Sequence, residues 1–179
     1  MEDITSIYFS TFTNLNWQHV LKSDSNKEIV IESLRFLVKE KRIVLYGFVI
    51  MPNHIHLLWK ISEELKLQDV QRDFLKFTAQ KIKFRLLETE DVILEKLMVN
   101  AKDRKFQIWE RNGFSFMLNN VKTVYQKLNY IHYNPLSGKW KLAETPADYF
   151  YSSASFYDKG IDKFGILSHV YDEVGDLWG

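Results

Sequence analysis

The strongest constraint on the fold is a pair of apolar runs, residues 43–50 and 54–61, separated only by Met51-Pro52-Asn53. Both runs are rich in β-branched and aromatic side chains, which pack well on a pleated surface, and the proline between them marks a turn. Parallel pairing needs a long crossover, so two strands this close in sequence pair by folding back antiparallel. A β-hairpin is therefore expected, with His54-Ile55-His56 opening its second strand.

The flanking segments alternate between strand and helix patterns. Residues 7–12 read as a further strand, and Ser25 stands before an amphipathic helix over 26–41, where Ile29, Leu34, Phe36 and Leu37 fall at roughly helical spacing. Leu67, Val70, Phe74 and Phe77 recur at three- and four-residue steps, which predicts a helix over 67–87, and a shorter one is expected over 91–99. Residues 106–110 and 114–118 are short aromatic runs joined by Arg111-Asn112-Gly113, whose Asn-Gly pair favours a tight reversal and so a second hairpin. Asn119 or Asn120 can cap a helix running to Tyr133, with Val121, Val124, Tyr125, Leu128 and Ile131 on its buried face. Pro135 disfavours helical geometry at Asn134 and should end that helix. The expected class is α+β: an antiparallel sheet of about four or five strands with helices packed against it.

With 179 residues, no internal repeat and no Pro/Gly-rich linker, one domain suffices. The absence of cysteine rules out disulfides and thiolate zinc sites, so any metal must be held by imidazole and oxygen. The first ten residues lack a basic segment followed by an apolar run, and no stretch reaches membrane-spanning length, so a soluble, cytoplasmic protein is expected. The net charge of +1 hides an asymmetry: residues 101–141 carry eight basic and two acidic side chains, and residues 142–179 carry two basic and seven acidic. Such a distribution suits a polyanion-facing surface beside an acidic tail, or simply well-solvated helix faces.

Alternate residues of a strand point to one side, so His54 and His56 face a common site and could chelate one cation. A pair of half-buried strand histidines has the same spacing. Tyr130 and Asn134 are four residues apart, hence on one helix face, where the phenol could serve as a nucleophile and the amide oxygen as a third metal ligand. Packing for the tyrosine and capping for the asparagine are the plain alternatives.

The stretch Tyr46-Gly47-Phe48-Val49-Ile50-Met51-Pro52-Asn53-His54-Ile55-His56-Leu57-Leu58, followed downstream by Tyr130-Ile131-His132-Tyr133-Asn134-Pro135, resembles the single-tyrosine HUH transposases, and among them the branch associated with repetitive extragenic palindromes. The likeness includes Asp73-Phe74-Leu75-Lys76-Phe77 and Ile108-Trp109-Glu110 and weakens after Tyr157. It implies a catalytic domain over 1–157 and an acidic C-terminal extension over 158–179, packed on or near it. It makes His54 and His56 the motif histidines, Asn134 the third ligand of a divalent ion, magnesium or manganese, and Tyr130 the nucleophile, with Tyr133 second in line. The implied reaction cuts and rejoins single-stranded DNA with hairpin or palindromic ends through a 5′-phosphotyrosine, in the cytoplasm and at the nucleoid when DNA is bound. Arg72, Lys76, Lys105, Arg111 and Lys127 are candidates for tracking its phosphates. Whether a homodimer exchanges its tyrosine helices stays open. A histidine-triad hydrolase is a rival, but Leu58 stands where its third histidine belongs; a non-cutting hairpin-DNA-binding protein is another.

Overall fold

The computed structural model describes residues 6–176, so the two ends of the sequence reading, residues 1–5 and 177–179, lie outside the described residues. Four strands, β1 (Ile7–Thr13), β2 (Ile43–Ile50), β3 (His54–Ile61) and β4 (Phe114–Met117), form one antiparallel sheet in the order β2-β3-β1-β4. Helices α1 (Asp24–Lys39) and α2 (Leu67–Glu88) pack on one face, and α3 (Val121–Tyr133) on the other. The expected α+β class and the first hairpin are both present. Two short helices follow, α4 (Ala154–Lys159) and α5 (Tyr171–Val174). No helix among the described residues is long and apolar enough to cross a membrane.

The two-fold period of β3 sorts its side chains between two cores. Ile55, Leu57, Trp59 and Ile61 enter the α1/α2 layer, whereas Leu58 packs under α3 with Ile7, Phe9, Val124, Leu128 and Ile131. Both faces are covered, which is why the run is apolar with little interruption. His54 and His56 share the parity of Leu58 and so stand on the α3 face. Across the strand pair, Thr13 lies opposite His54 and Thr11 opposite His56.

Several boundaries differ from the sequence reading for local reasons. Helix α1 starts earlier because Ser23, not Ser25, is the N-cap, its side chain accepting the Asn26 N–H. Residues 92–97 tighten into a 3-10 turn behind Asp91, whose carboxylate accepts the Ile93 N–H. Asn120 caps α3 by accepting the Thr123 N–H. Asn134 keeps helical angles despite the proline after it, because Pro135 continues the chain into a 3-10 turn, Asn134–Leu136.

The second expected hairpin does not form. β1 has a free edge, and residues 108–117 lie along it as one extended segment: β4 pairs Thr11 with Phe114, and further on Asn14 bridges Trp109, Ile108 O accepts Leu15 N–H, and Glu110 N–H donates to Thr13 O. The Asn-Gly pair sits within an irregularity of that segment rather than reversing it. Gly113 is needed for proximity, since a Cβ there would lie 2.7 Å from two ring atoms of Phe12. Phe12 is buried between Trp59 and Phe74, with ring centroids 6.4 and 6.0 Å away, and has little room to move.

After α3 the chain returns along the outer edge of β2. Tyr151 O accepts Ile50 N–H, Ser153 N–H donates to Phe48 O, and Ser168 N–H donates to Leu45 O, so backbone groups that an edge strand would expose are paired within the chain. Glu173 then binds the Tyr46 hydroxyl at 2.9 Å and the Lys60 ammonium at 2.6 Å.

Substituting Gly113→Ala should cost about 1–3 kcal/mol through overpacking against Phe12. Urea unfolding of the two proteins measures it, and an unchanged midpoint would show that the ring yields freely.

Candidate active site

The cavity on the α3 face begins with the interruption between β2 and β3. Asn53 is 3% exposed and donates its amide N–H to the carbonyl of Trp17 at 3.3 Å, which turns its oxygen toward Nδ1 of His54 at 2.7 Å. An oxygen at that distance accepts, so Nδ1 of His54 carries the proton and Nε2 keeps a lone pair. His56 is oriented likewise by Thr11, whose Oγ1 is 2.8 Å from Nδ1. Its Nε2 is buried and has no hydrogen-bond partner. The two ring centroids are 4.8 Å apart.

Burial holds His54 down to about 4, partly offset by its contact with Asn134. Burial likewise holds His56 down to about 3, helped by repulsion from His54 whenever that ring is protonated and from Lys127. Both imidazoles are therefore neutral at neutral pH, the form that ligates a metal.

Helix α3 brings the remaining groups over this pair. Asn134, 8% exposed, points its Oδ1 at Nε2 of His54 from 3.2 Å. Two acceptors face each other there. Neighbouring donors around an octahedral ion stand about 3 Å apart for bonds of about 2.1 Å, so this spacing suits a shared cation. The orphaned Nε2 of His56, the bare lone pair of His54 and the amide oxygen together fit a divalent ion, with Asn53 and Thr11 as the outer groups that set ring orientation. No cluster of three His, Asp or Glu exists among the described residues, because the third donor is an amide.

Tyr130 is 49% exposed, with its ring centroid 5.2 Å from that of His56. The Lys127 ammonium lies 5.4 Å from the centre of the phenol ring and 4.7 Å from that of Phe9. Tyr133 is exposed and does not line this cavity of about 590 Å³. His132, between them, turns into the protein and hydrogen-bonds Ser153 Oγ at 2.8 Å, fastening α3 to the segment that runs along the β2 edge.

The structure brings together His54, His56, Asn134, Tyr130 and Lys127. Arg72, Lys76 and Arg111 line a separate groove of about 710 Å³ between α2 and residues 104–113, and Lys105 lines neither, standing beside Phe106. Arg72 is also engaged by Asp69 and Asp73, which reduces its value as a free phosphate contact. Sequence reasoning missed Thr11, Phe9, Trp17 and Trp140 as walls of the cavity, and Asn53 as the group that orients His54 from behind. Asn53 could have been found from its place before His54, but the others depend on strand register and loop path, which one sequence does not display.

Residues 9–134 match the family model described as Transposase IS200 like. Among solved structures, the chain resembles that of a REP-associated tyrosine transposase bound to a REP hairpin, with a TM-score of 0.62 and 16% identity over 95% of this chain and 90% of the other. It also resembles a transposase candidate from Deinococcus radiodurans R1, with a TM-score of 0.49 and 15% identity over 70% of this chain and 87% of the other. The first likeness shows a shared fold. No curated protein matches the chain.

Three buried imidazoles give folding a pH dependence, for His132 is also held down to about 4 by burial. Unfolded histidines bind protons from about pH 6.5 downward while the folded ones stay neutral, so stability falls as pH drops through the window between 6.5 and about 3, where His56 is the last to take a proton. In chelator-treated protein the urea midpoint should decline steadily across that window, and His132→Gln should shallow the decline. A flat profile would contradict the neutral, buried assignment.

Proposed function

Because the chain belongs to the IS200-like transposase family, we propose that it cuts and rejoins single-stranded, hairpin-forming DNA, with Tyr130 as nucleophile. One observation carries the reading: a half-exposed phenol stands beside the buried His56 imidazole, whose Nε2 has no partner, and shares one open cavity with the His54 imidazole and the Asn134 oxygen that meets it within a single chain. A dimer is not required to bring Tyr130 to the histidines.

His54, His56 and Asn134 would hold a divalent ion, which when bound polarises a phosphate oxygen and neutralises developing charge. Two imidazoles and an amide favour manganese over magnesium on softness. Tyr130 Oη attacks the phosphorus in line; the P–Oη bond forms, the P–O3′ bond breaks, and the 3′-oxygen leaves as a hydroxyl after taking a proton. The 5′-phosphate stays on the tyrosine until a second 3′-hydroxyl attacks it and restores the phenol, so bond energy is conserved. Lys127 places positive charge over the phenol ring, where it can attract the scissile phosphate toward Tyr130. Phenol proton loss goes to solvent, to which Tyr130 is open.

The similar solved structure holds a REP hairpin, which supports a hairpin as the DNA form for this chain. The groove bearing Lys76 and Arg111 offers charge for a second stretch of phosphates. We take residues 1–157 as the catalytic unit and 158–179 as an extension that adds Ser168 to the β2 edge already paired by Tyr151 and Ser153, the whole working in the cytoplasm and at the nucleoid when DNA is bound. The histidine-triad alternative fails on Leu58, which is fully buried under α3.

Incubation with labelled single-stranded hairpin DNA and manganese should yield a denaturant-resistant adduct. Tyr130→Phe should abolish it, and His54→Ala or His56→Ala should cut its formation to below about a thousandth, in the range seen when a catalytic unit loses one member. Asn134→Ala should lower it about 10–100-fold, as for other altered metal surroundings, and Tyr133→Phe should leave it intact. An adduct formed by the Tyr130→Phe protein would refute the assignment, while tight binding without any adduct from the native protein would favour a non-cutting hairpin binder.

A further inference from the structure

Trp17 combines two costs with no structural return. It is 61% exposed, and both it and Asn16 occupy the left-handed region, at φ values of 57° and 50°. Asparagine tolerates that conformation, whereas a bulky indole does not. The backbone is fixed from several sides: Trp17 N–H donates to Asn14 O, Trp17 O accepts from Asn53, and the Glu110 carboxylate accepts the Asn16 N–H. The ring itself is spared from the core and stands at the mouth of the cavity, its centroid 6.1 Å from that of His54. Trp140 forms another wall of the same cavity, 6.2 Å from the same imidazole and braced by His19 at 5.6 Å. The Lys139 ammonium lies over the Trp140 ring, 5.5 Å from its centre, and Lys127 adds positive charge across the same cavity beside Tyr130.

We propose that Trp17 is a stacking platform for one unpaired nucleobase flanking the phosphate that Tyr130 attacks, with Trp140 as the neighbouring wall. An indole face accepts any base, is sequence-tolerant, and gains most when the base is unpaired. A backbone strained to hold such a ring beside an imidazole pair fixes the flanking nucleotide and with it the strand's approach to Tyr130. The inference rests on the strand-transferase reading and adds a specificity element to it. Trp17 is a substrate-positioning residue, and it has no part in bond making.

The test uses the full chain carrying Tyr130→Phe, so that binding is read without cutting. The probe is a fluorescent oligonucleotide with a short self-complementary stem and an unpaired flank, together with a series in which each flank position in turn is abasic. Glycine is at ease at positive φ, so Trp17→Gly should melt no earlier than its parent, yet bind the probe roughly five- to a hundredfold more weakly, the span expected for one lost base stack. Trp17→Phe should restore most of the affinity. The loss caused by Trp17→Gly should vanish on the probe whose abasic site removes the stacked base, and persist on the others. Equal binding by Trp17→Gly, or a penalty that persists at every abasic position, would overturn the inference. In either case an adduct from the native tyrosine protein would leave the transferase reading standing, whereas failure of the Tyr130→Phe protein to bind any such strand would sink that reading first.

Discussion

Pairing between β3 and β1 decides everything that happens at the cavity. The register that sets Thr11 against His56 and Thr13 against His54 also sends Ile55, Leu57 and Trp59 into the opposite core. A slip by one residue would turn both imidazoles into the core between the sheet and α1/α2, where buried polar rings without partners are costly, and would move those three apolar side chains to the α3 face. The hydrophobic drive that fixes the sheet thus fixes the direction of the imidazoles, and Trp59 reinforces it by donating its indole N–H to Ser10 on β1 at 2.8 Å. Functional geometry is here a by-product of core packing.

The other half of the site depends on how closely α3 can lie on the sheet. Gly47 stands beneath it at an irregularity of β2, and a Cβ there would come within 2.7 Å of Leu128 Cδ1. Leu128, Val124 and Ile131 seat the helix, while His132 ties its C-terminal turn to Ser153, whose hydroxyl also accepts the Phe48 N–H. Tyr130 and Asn134 flank that anchored turn, so little freedom is left in how they approach His54 and His56. Had Pro135 driven Asn134 into an extended conformation, its amide would have left the face shared with Tyr130. The 3-10 turn that follows keeps it there.

Legibility in the sequence followed the range of the interactions involved. The hairpin of β2 and β3, the span of α2 and the Asn120 cap could be read because period, turn and cap act within a few residues. The pairing of His54 with His56 was visible for the same reason. Their convergence with a tyrosine more than seventy positions away was not, and entered only through resemblance to a family. The false hairpin at Asn112-Gly113 shows the limit from the other side: the local turn preference is real, but the free edge of β1 offers hydrogen bonds on both sides of it, to residues 108–110 and 114–117, and outweighs it. Nothing local announces that Gly113 is small for the sake of Phe12.

Charge is the last quantity that the sequence conceals, because a total near neutrality is the sum of two populations with different work. Three of the acidic groups in the final forty residues are spent on backbone and neighbours: Asp148 caps a turn through Thr145, Asp162 accepts the N–H groups of Gly165 and Leu167, and Glu173 joins Lys60 to Tyr46. Held in this way, these three stand as structural anions. The basic groups are placed differently. Lys127 and Lys139 border the cavity, and Lys76, Lys83 and Arg111 border the neighbouring groove, without carboxylate ion pairs of their own among the described residues. An anion approaching the molecule meets the unpaired charges first, since paired ones largely cancel beyond about a Debye length of 8 Å. A chain of net charge +1 can therefore present a polyanion with a locally positive face without any excess of lysine and arginine overall.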